Sequence, residues 1–279
     1  MNRRLFLSLS AQATLGLLAG TSLYSLFSRR LCRINRQHVC VRGLPRAFEG
    51  LRVALLSDFH HGPHVPLEMV TKSVSLANSL RPDLIALTGD FVHRGKAWVA
   101  PCFRELAKLR APLGVFGVLG NHDHYAGAAK ISHEVMAAVG IRNLTNTGVN
   151  LRRSGDVLRV GGVGDLWNDE QRLDLALGKE GSPALLLSHN PDFTQQIRDE
   201  RVGLVLSGHT HGGQCRLPLI GSPLLPSRYG QRYAVGLCQG PVAQVFVTTG
   251  IGHSFPPIRI NCPAEVALLT LRSQPTEKA

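Results

Sequence analysis

The first 48 residues contain no aspartate or glutamate. They hold eight arginines (Arg3, Arg4, Arg29, Arg30, Arg33, Arg36, Arg42 and Arg46), which carry eight of the twelve net positive charges of the 279-residue chain. The remaining body is therefore close to balanced. Aromatic residues are also scarce, at 6%. A basic groove with stacking rings is not built from such a body, so no nucleic-acid partner is expected. None of the six cysteines forms a CxxC pair. Six in a chain of this length do not make a disulfide scaffold, and buried or incidental thiols are expected. Low-complexity tracts are absent. No linker divides the body, and 44% hydrophobic residues are ample for one full core.

Charge is absent again from residues 5–27, LFLSLSAQATLGLLAGTSLYSLF, a stretch long enough to span a bilayer as a helix. Arg3 and Arg4 precede it in NRRLFLS, which resembles the twin-arginine export signal. No A-x-A cleavage site follows. Arg29, Arg30, Arg33 and Arg36 lie just beyond the stretch, and the positive-inside rule would keep them in the cytoplasm. Two placements follow. One is a membrane-associated protein exported by the twin-arginine route. The other is an inner-membrane anchor with a cytoplasmic catalytic domain. Residues 1–40 are expected to be the signal or anchor, and 41–279 the catalytic domain.

The body alternates between short apolar runs and helical spacing. RVALLSD (52–58), DLIALTGD (83–90) and GVFGVLGN (114–121) predict buried strands. The segments at 66–80, 98–110 and 128–140 predict helices, with Pro66 and Pro101 in first turns and Gly140 as a stop. This alternation predicts a mainly parallel sheet with crossover helices. Residues 142–165 then predict two strands turning at Ser154-Gly155-Asp156. Strands at 183–190, 202–209, 244–250 and 264–272, with a short helix near 193–200, complete a second strand-rich half. Two sheets packed face to face with helices outside accommodate this order.

Polar residues close the apolar runs: Asp58 and His60 in SDFH, Asp90 in TGD, Asn121-His122-Asp123 in LGNHD, His189 in LSHN, and His209 and His211 in SGHTHGG. Ligands bind beyond the carboxyl ends of strands in open α/β sheets, so these groups are expected on one rim. Seven oxygen and imidazole donors exceed what one ion needs, which suggests two metals sharing a carboxylate and metal-assisted phosphoester hydrolysis.

The five blocks, D-x-H, G-D, G-N-H-D, a later His and G-H-x-H, stand in the order of the calcineurin-like metallophosphoesterase family, which the chain resembles over about residues 50–272. The apolar leader and GHTHGGQCRLP resemble a bacterial membrane-associated phosphodiesterase branch. The resemblance implies a four-layer αββα sandwich of two mixed β-sheets. It implies that Asp58, His60 and His211 bind a first divalent ion, that Asn121, His189 and His209 bind a second, and that Asp90 bridges them. Mn, Fe and Zn all suit such donors. A bridging hydroxide would attack phosphorus, His122 would face the leaving group as general acid or hydrogen-bond donor, and Asp123 would orient His122. His61 and His124 flank these blocks and are candidate substrate contacts. So is Arg94, because GDFVHRG resembles the GDxVDRG block of the family's protein phosphatases, with His93 in place of the acid. The expected activity is a two-metal phosphodiesterase acting on a phosphoester, lipid- or nucleotide-linked. The alternative is a pyrophosphatase cleaving a UDP-linked acylated sugar in glycolipid (lipid A) synthesis.

Overall fold

The computed structural model describes residues 31–274. The leader expected at 5–27 lies outside them.

Two six-stranded mixed sheets form the body. The first contains β1 (Cys32–Val41), β2 (Arg52–Leu56), β3 (Leu84–Leu87), β4 (Val115–Gly117), β5 (Arg142–Asn143) and β12 (Ala264–Ser273), in the order β1-β12-β2-β3-β4-β5. From β2 to β5 the pairing is parallel, while β12 runs antiparallel to β2 and parallel to β1. The second contains β6 (Thr147–Arg153), β7 (Asp156–Gly162), β8 (Ala184–Leu187), β9 (Val202–Ser207), β10 (Gly236–Gln239) and β11 (Gln244–Val247), in the order β10-β11-β9-β8-β7-β6. Only its two edge pairs, β6–β7 and β10–β11, are antiparallel.

The strands read as continuous apolar runs because both faces of each sheet are covered. Along β2, Val53 and Leu55 point between the sheets, where they meet Leu185, Leu187, Leu204, Leu206 and Phe246. Ala54 and Leu56 point outward into a cluster with Val70, Val74, Phe103 and Met136. That outer layer is α1 (Leu67–Ser79), α2 (Val99–Leu106) and α4 (Ala129–Ala138). The short α3 (Asn121–Tyr125) precedes α4. The outer layer of the second sheet is thinner. It consists of α5 (Leu173–Leu177), a 3-10 segment at Pro191–Gln196 where a short helix was expected near 193–200, and another at Gly230–Tyr233. Phe193, Ile197 and Tyr233 pack there.

Residues 32–41, placed mostly in the leader by sequence, form β1 and pair with β12 along its whole length, from Cys32 beside Ala264 to Val41 beside Ser273. Polar residues dominate β1, which hid it; only Val39 and Val41 are fully buried. Arg33 reaches buried Glu265 at 3.2 Å. Burying two valines contributes about 3–6 kcal/mol. A chain that starts at residue 42 is therefore expected to melt roughly 10 °C or more below one that starts at residue 31, as read by calorimetry. Equal melting temperatures would show that β1 is an ornament of the sheet.

Candidate metal centre

The strands end where the backbone turns sharply. Asp58, His60, Asp90, His209 and His211 all adopt left-handed φ, between 46° and 69°. Short polar side chains tolerate this region best, yet each such residue costs about 1 kcal/mol or more. The turns fold each side chain back over its sheet, and two glycines give the carboxylates room. A Cβ at Gly120 would lie 2.2 Å from Asp90 Oδ1, and one at Gly208 would lie 2.2 Å from Asp58 Oδ2.

Seven donors converge as a result. His60 Nε2 and His211 Nε2 are 2.9 Å apart, with Asp58 Oδ1 at 4.0 and 3.6 Å from them. On the other side, Asn121 Oδ1 lies 3.0 Å from His189 Nε2 and 2.9 Å from His209 Nδ1. Asp90 Oδ2 stands between the groups, 3.3 Å from both His60 Nε2 and His189 Nε2. Donors held about 2.0–2.2 Å from an ion are separated from one another by about 3 Å, so the spacings fit divalent cations. The ring orientations fit as well. His189 Nδ1 donates to the Thr88 carbonyl at 2.6 Å, and His60 Nδ1 meets His93 Nδ1 at 3.3 Å. In both rings the outer nitrogen is engaged, and Nε2 is turned to the shared space.

The electrostatics of the protein groups alone point the same way. Burial holds His60 and His211 well below the usual histidine range. Burial, then the charge of Asp90, pushes the Asp58 carboxyl up to about 6 against the pull of His189. Burial opposes the charge of Asp90, yet His189 and His60 hold its carboxyl well below the carboxylate range. Burial also opposes a charged His189, and the Asp90 carboxylate overrides it to raise His189 to about 10. Among the protein groups alone, a proton on His189 offsets the Asp90 charge, while His60 and His211 stay neutral; a divalent cation would supply that offset in the proton's place.

His122 differs from the ligand-type residues. Its backbone N–H donates to Asp90 Oδ1 at 2.8 Å, which locks the turn. Its ring is partly exposed beside His60, His93 and Tyr125, with centroids 4.6, 4.9 and 5.6 Å away. The ring lines the cleft above the donors.

Asp123 does not orient His122. Its carboxylate accepts four backbone N–H groups, from Asp90 and Gly120 on Oδ2 and from Phe91 and Val92 on Oδ1, at 2.9–3.3 Å. It staples the Asp90 turn to the Gly120 turn. The sequence neighbourhood suggested a partner for His122, but the first turn of α3 points Asp123 inward beneath the loop. The three expected substrate contacts also fall elsewhere. His61 donates Nδ1–H to the Val65 carbonyl at 3.0 Å and packs edge-on against Trp98. His124 pairs with Asp169 at 3.1 Å. Arg94 is exposed, and none of the three lines the cleft.

The cleft itself was not legible in the sequence. It encloses about 450 Å³. Asp90, Asn121, His209 and His211 form its floor, and His122, Tyr125, Trp167, Leu224, Leu225 and Phe255 stand among the walls. Trp167 packs edge-on against His209 at 4.5 Å. Its loop is fixed by Asp165, whose carboxylate accepts from Trp167 N and Asn168 Nδ2, and by the His124–Asp169 pair. His124 thus acts on the wall of the cleft through Trp167. Among the described residues, no lysine or arginine lines the cleft.

Comparison with known proteins agrees with this geometry. Residues 51–213 match the calcineurin-like phosphoesterase family. The chain is 34% identical over 223 residues to phosphodiesterase YaeI of Escherichia coli, covering 79% of this chain and 82% of that one. It is 31% identical over 238 residues to the uncharacterized metallophosphoesterase YkuE of Bacillus subtilis, covering 82% of each. It is also 30% identical to a transmembrane protein with metallophosphoesterase domain from Danio rerio, covering 83% of this chain and 55% of that one. The chain belongs to the calcineurin-like phosphoesterase family. It is a hydrolase of phosphoester bonds, and its family implies divalent metal ions.

The staple formed by Asp123 is open to test. In Asp123→Asn one amide NH2 must confront backbone N–H donors, which costs about 2–3 kcal/mol. Denaturant unfolding should register that loss. Unchanged stability with lowered turnover would restore Asp123 to a role on His122.

Proposed function

We propose that the chain is a phosphodiesterase that works with two divalent ions, one held by Asp58, His60 and His211, the other by Asn121, His189 and His209, with Asp90 shared. The carrying observation is that Asp90 Oδ2 lies equally near His60 and His189, one residue from each group. Ions bound there would activate a water at neutral pH and offset charge on the phosphoryl oxygens. The protein's own part is to hold the donors in place and to present His122. The ring of His122 overlooks the floor with room for a substrate oxygen, so it suits protonation of the leaving group or donation to it.

A diester suits the cleft better than a monoester. A monoester carries nearly two negative charges at neutral pH, and a clamp for the second charge usually employs arginine or lysine. Among the described residues this cleft has neither, and its walls are mostly apolar. A phosphodiester has one charge and a second substituent for those walls to cover. The same lack weighs against the UDP-sugar pyrophosphatase, whose adjoining phosphates bring more charge.

Placement at a membrane, with export, is part of the proposal. Among the described residues no helix is long and apolar enough to cross a membrane, and the uncharged stretch at 5–27 lies outside them. Arg33 and Arg36 lie on β1, within the first sheet. That leaves Arg29 and Arg30 beyond the stretch to balance Arg3 and Arg4 before it, so the positive-inside asymmetry against export weakens.

With Mn supplied, the chain should hydrolyse bis(p-nitrophenyl) phosphate, and a chelator should abolish the reaction. Asp90→Ala should lose both bound metal and activity; activity equal to the unaltered chain would end the two-metal reading. His122→Ala should keep its metal and lose about 10²–10⁴ in kcat. For placement, a C-terminal reporter that works only outside the cytoplasm should be active, and silence would remove the export reading.

A further inference from the structure

Two loops beside the cleft carry large apolar side chains on their outer surface. Leu217, Leu219, Ile220 and Leu224 lie on one, and Phe255 and Ile258 on the other. Leu219 is 108% exposed, Leu224 77% and Phe255 78%. Soluble surfaces carry scattered single leucines, but six such side chains on adjoining loops form a patch that marks an interaction site. The loops are one braced surface. Gln214 donates to the Pro256 carbonyl and accepts from Ser254 N, and backbone bonds join Arg216 to Ile260 and Ile260 to Gln214. Buried Arg259 ties the second loop together through the carbonyls of Thr249, Gly252 and Cys262.

The loops themselves carry charge of one sign, and the nearby Asp192 carboxylate is taken up by Ser227 and the Arg228 amide. From Val202 to Ala264 the chain has no aspartate or glutamate, while Arg216, Arg228 and Arg232 lie on or near these loops. The chain also enters the fold at this side. Cys32, the first residue of β1, pairs with Ala264, directly after the second loop. Residues 28–31 join it to the uncharged stretch ending at 27. Fully extended, those four residues reach only about 14 Å. A bilayer that holds the stretch is therefore kept close to the apolar loops.

We propose that this apolar, basic surface docks on an anionic lipid bilayer, so that the cleft takes its phosphodiester from a lipid at that surface. Leucine, isoleucine and phenylalanine enter the acyl boundary, and the arginines meet anionic headgroups. Leu224 and Phe255 belong both to the walls of the cleft and to the patch. A lipid headgroup would reach the floor while its chains stay in contact with apolar surface. Water attacks phosphorus, the P–O bond to one substituent breaks, and that substituent leaves as an alcohol after taking a proton. The choice of substrate rests on the phosphodiesterase reading; the docking does not.

The test uses the full chain in vesicles of three parts phosphatidylcholine to one part phosphatidylglycerol. In the Leu219→Trp variant, phosphatidylcholine brominated on its acyl chains should quench emission beyond the background of Trp98 and Trp167 in the unaltered chain. No excess quenching overturns docking. Blue-shifted but unquenched emission from the introduced indole also overturns it, because the loop is then buried against protein, such as a second copy. The double variant Leu219→Glu/Ile220→Glu should cleave soluble bis(p-nitrophenyl) phosphate at the unaltered rate. It should cleave phosphatidyl-p-nitrophenol in vesicles about tenfold more slowly. Equal rates on the vesicle substrate, or no cleavage of it by the unaltered chain when the soluble diester is cleaved, overturn the lipid substrate. Failure on both substrates by the unaltered chain instead overturns the catalytic reading, and quenching still decides docking.

Discussion

The rest of the site depends on the buried carboxylate of Asp90. One oxygen accepts the His122 amide, and the other faces His60 and His189 at equal distance. Its own amide is held by Asp123. Three turns, those after β2, β4 and β8, therefore meet at a single side chain carried by a fourth, the turn after β3. Burying Asp58, Asp90, Asp123 and the donor histidines without compensation would cost more than a domain of this size has in reserve. The arrangement persists because each group is engaged by its neighbours, and cations would complete the balance.

Backbone strain is the counterpart of that convergence. Extended strands point side chains to the two faces of a sheet, not beyond its edge. Left-handed turns at five donor residues redirect them onto the rim. Glycine supplies the clearance, and the interval between Gly120 and the Asp90 carboxylate leaves no space for a methyl group. The donors are thus placed by rigid strand ends and not by loops free to reshape, which is what a fixed set of interatomic distances requires.

The sequence made the floor of the site legible and left the walls hidden, for physical reasons. Strand ends after apolar runs are marked by periodicity, and Asp58, Asp90, Asn121, His189, His209 and His211 all lie at such ends. β1 escaped because an edge strand half open to water has no apolar run; only Val39 and Val41 betray it. Asp123 was placed beside His122 because adjacency in sequence stood in for contact, whereas one step along a helix turns a side chain by about 100°. His61 and His124 were selected for the same reason and are engaged elsewhere; Arg94 was selected on a motif in which His93 replaces the acid, and it is exposed outside the cleft lining. Trp167, Leu224 and Phe255 are separated by 57 and 31 positions in the chain. Nothing short of the fold brings them together.

Chemistry and recognition are therefore built from different material. The floor comes from strand ends locked by Asp90 and Asp123. The walls come mainly from three loops: one is braced by Asp165 and the His124–Asp169 pair, and the other two are joined to each other by Gln214, with Arg259 holding the second of them. Such a division lets the walls change while the distances on the floor stay fixed. A floor that handles any phosphoester then acquires selectivity from what surrounds it. Here the described surroundings are mostly apolar and contain no lysine or arginine. Under the proposed phosphodiesterase reading, a second phosphate charge would find no cationic side chain there, a large apolar substituent would find cover, and the exposed leucines would extend that cover beyond the cleft.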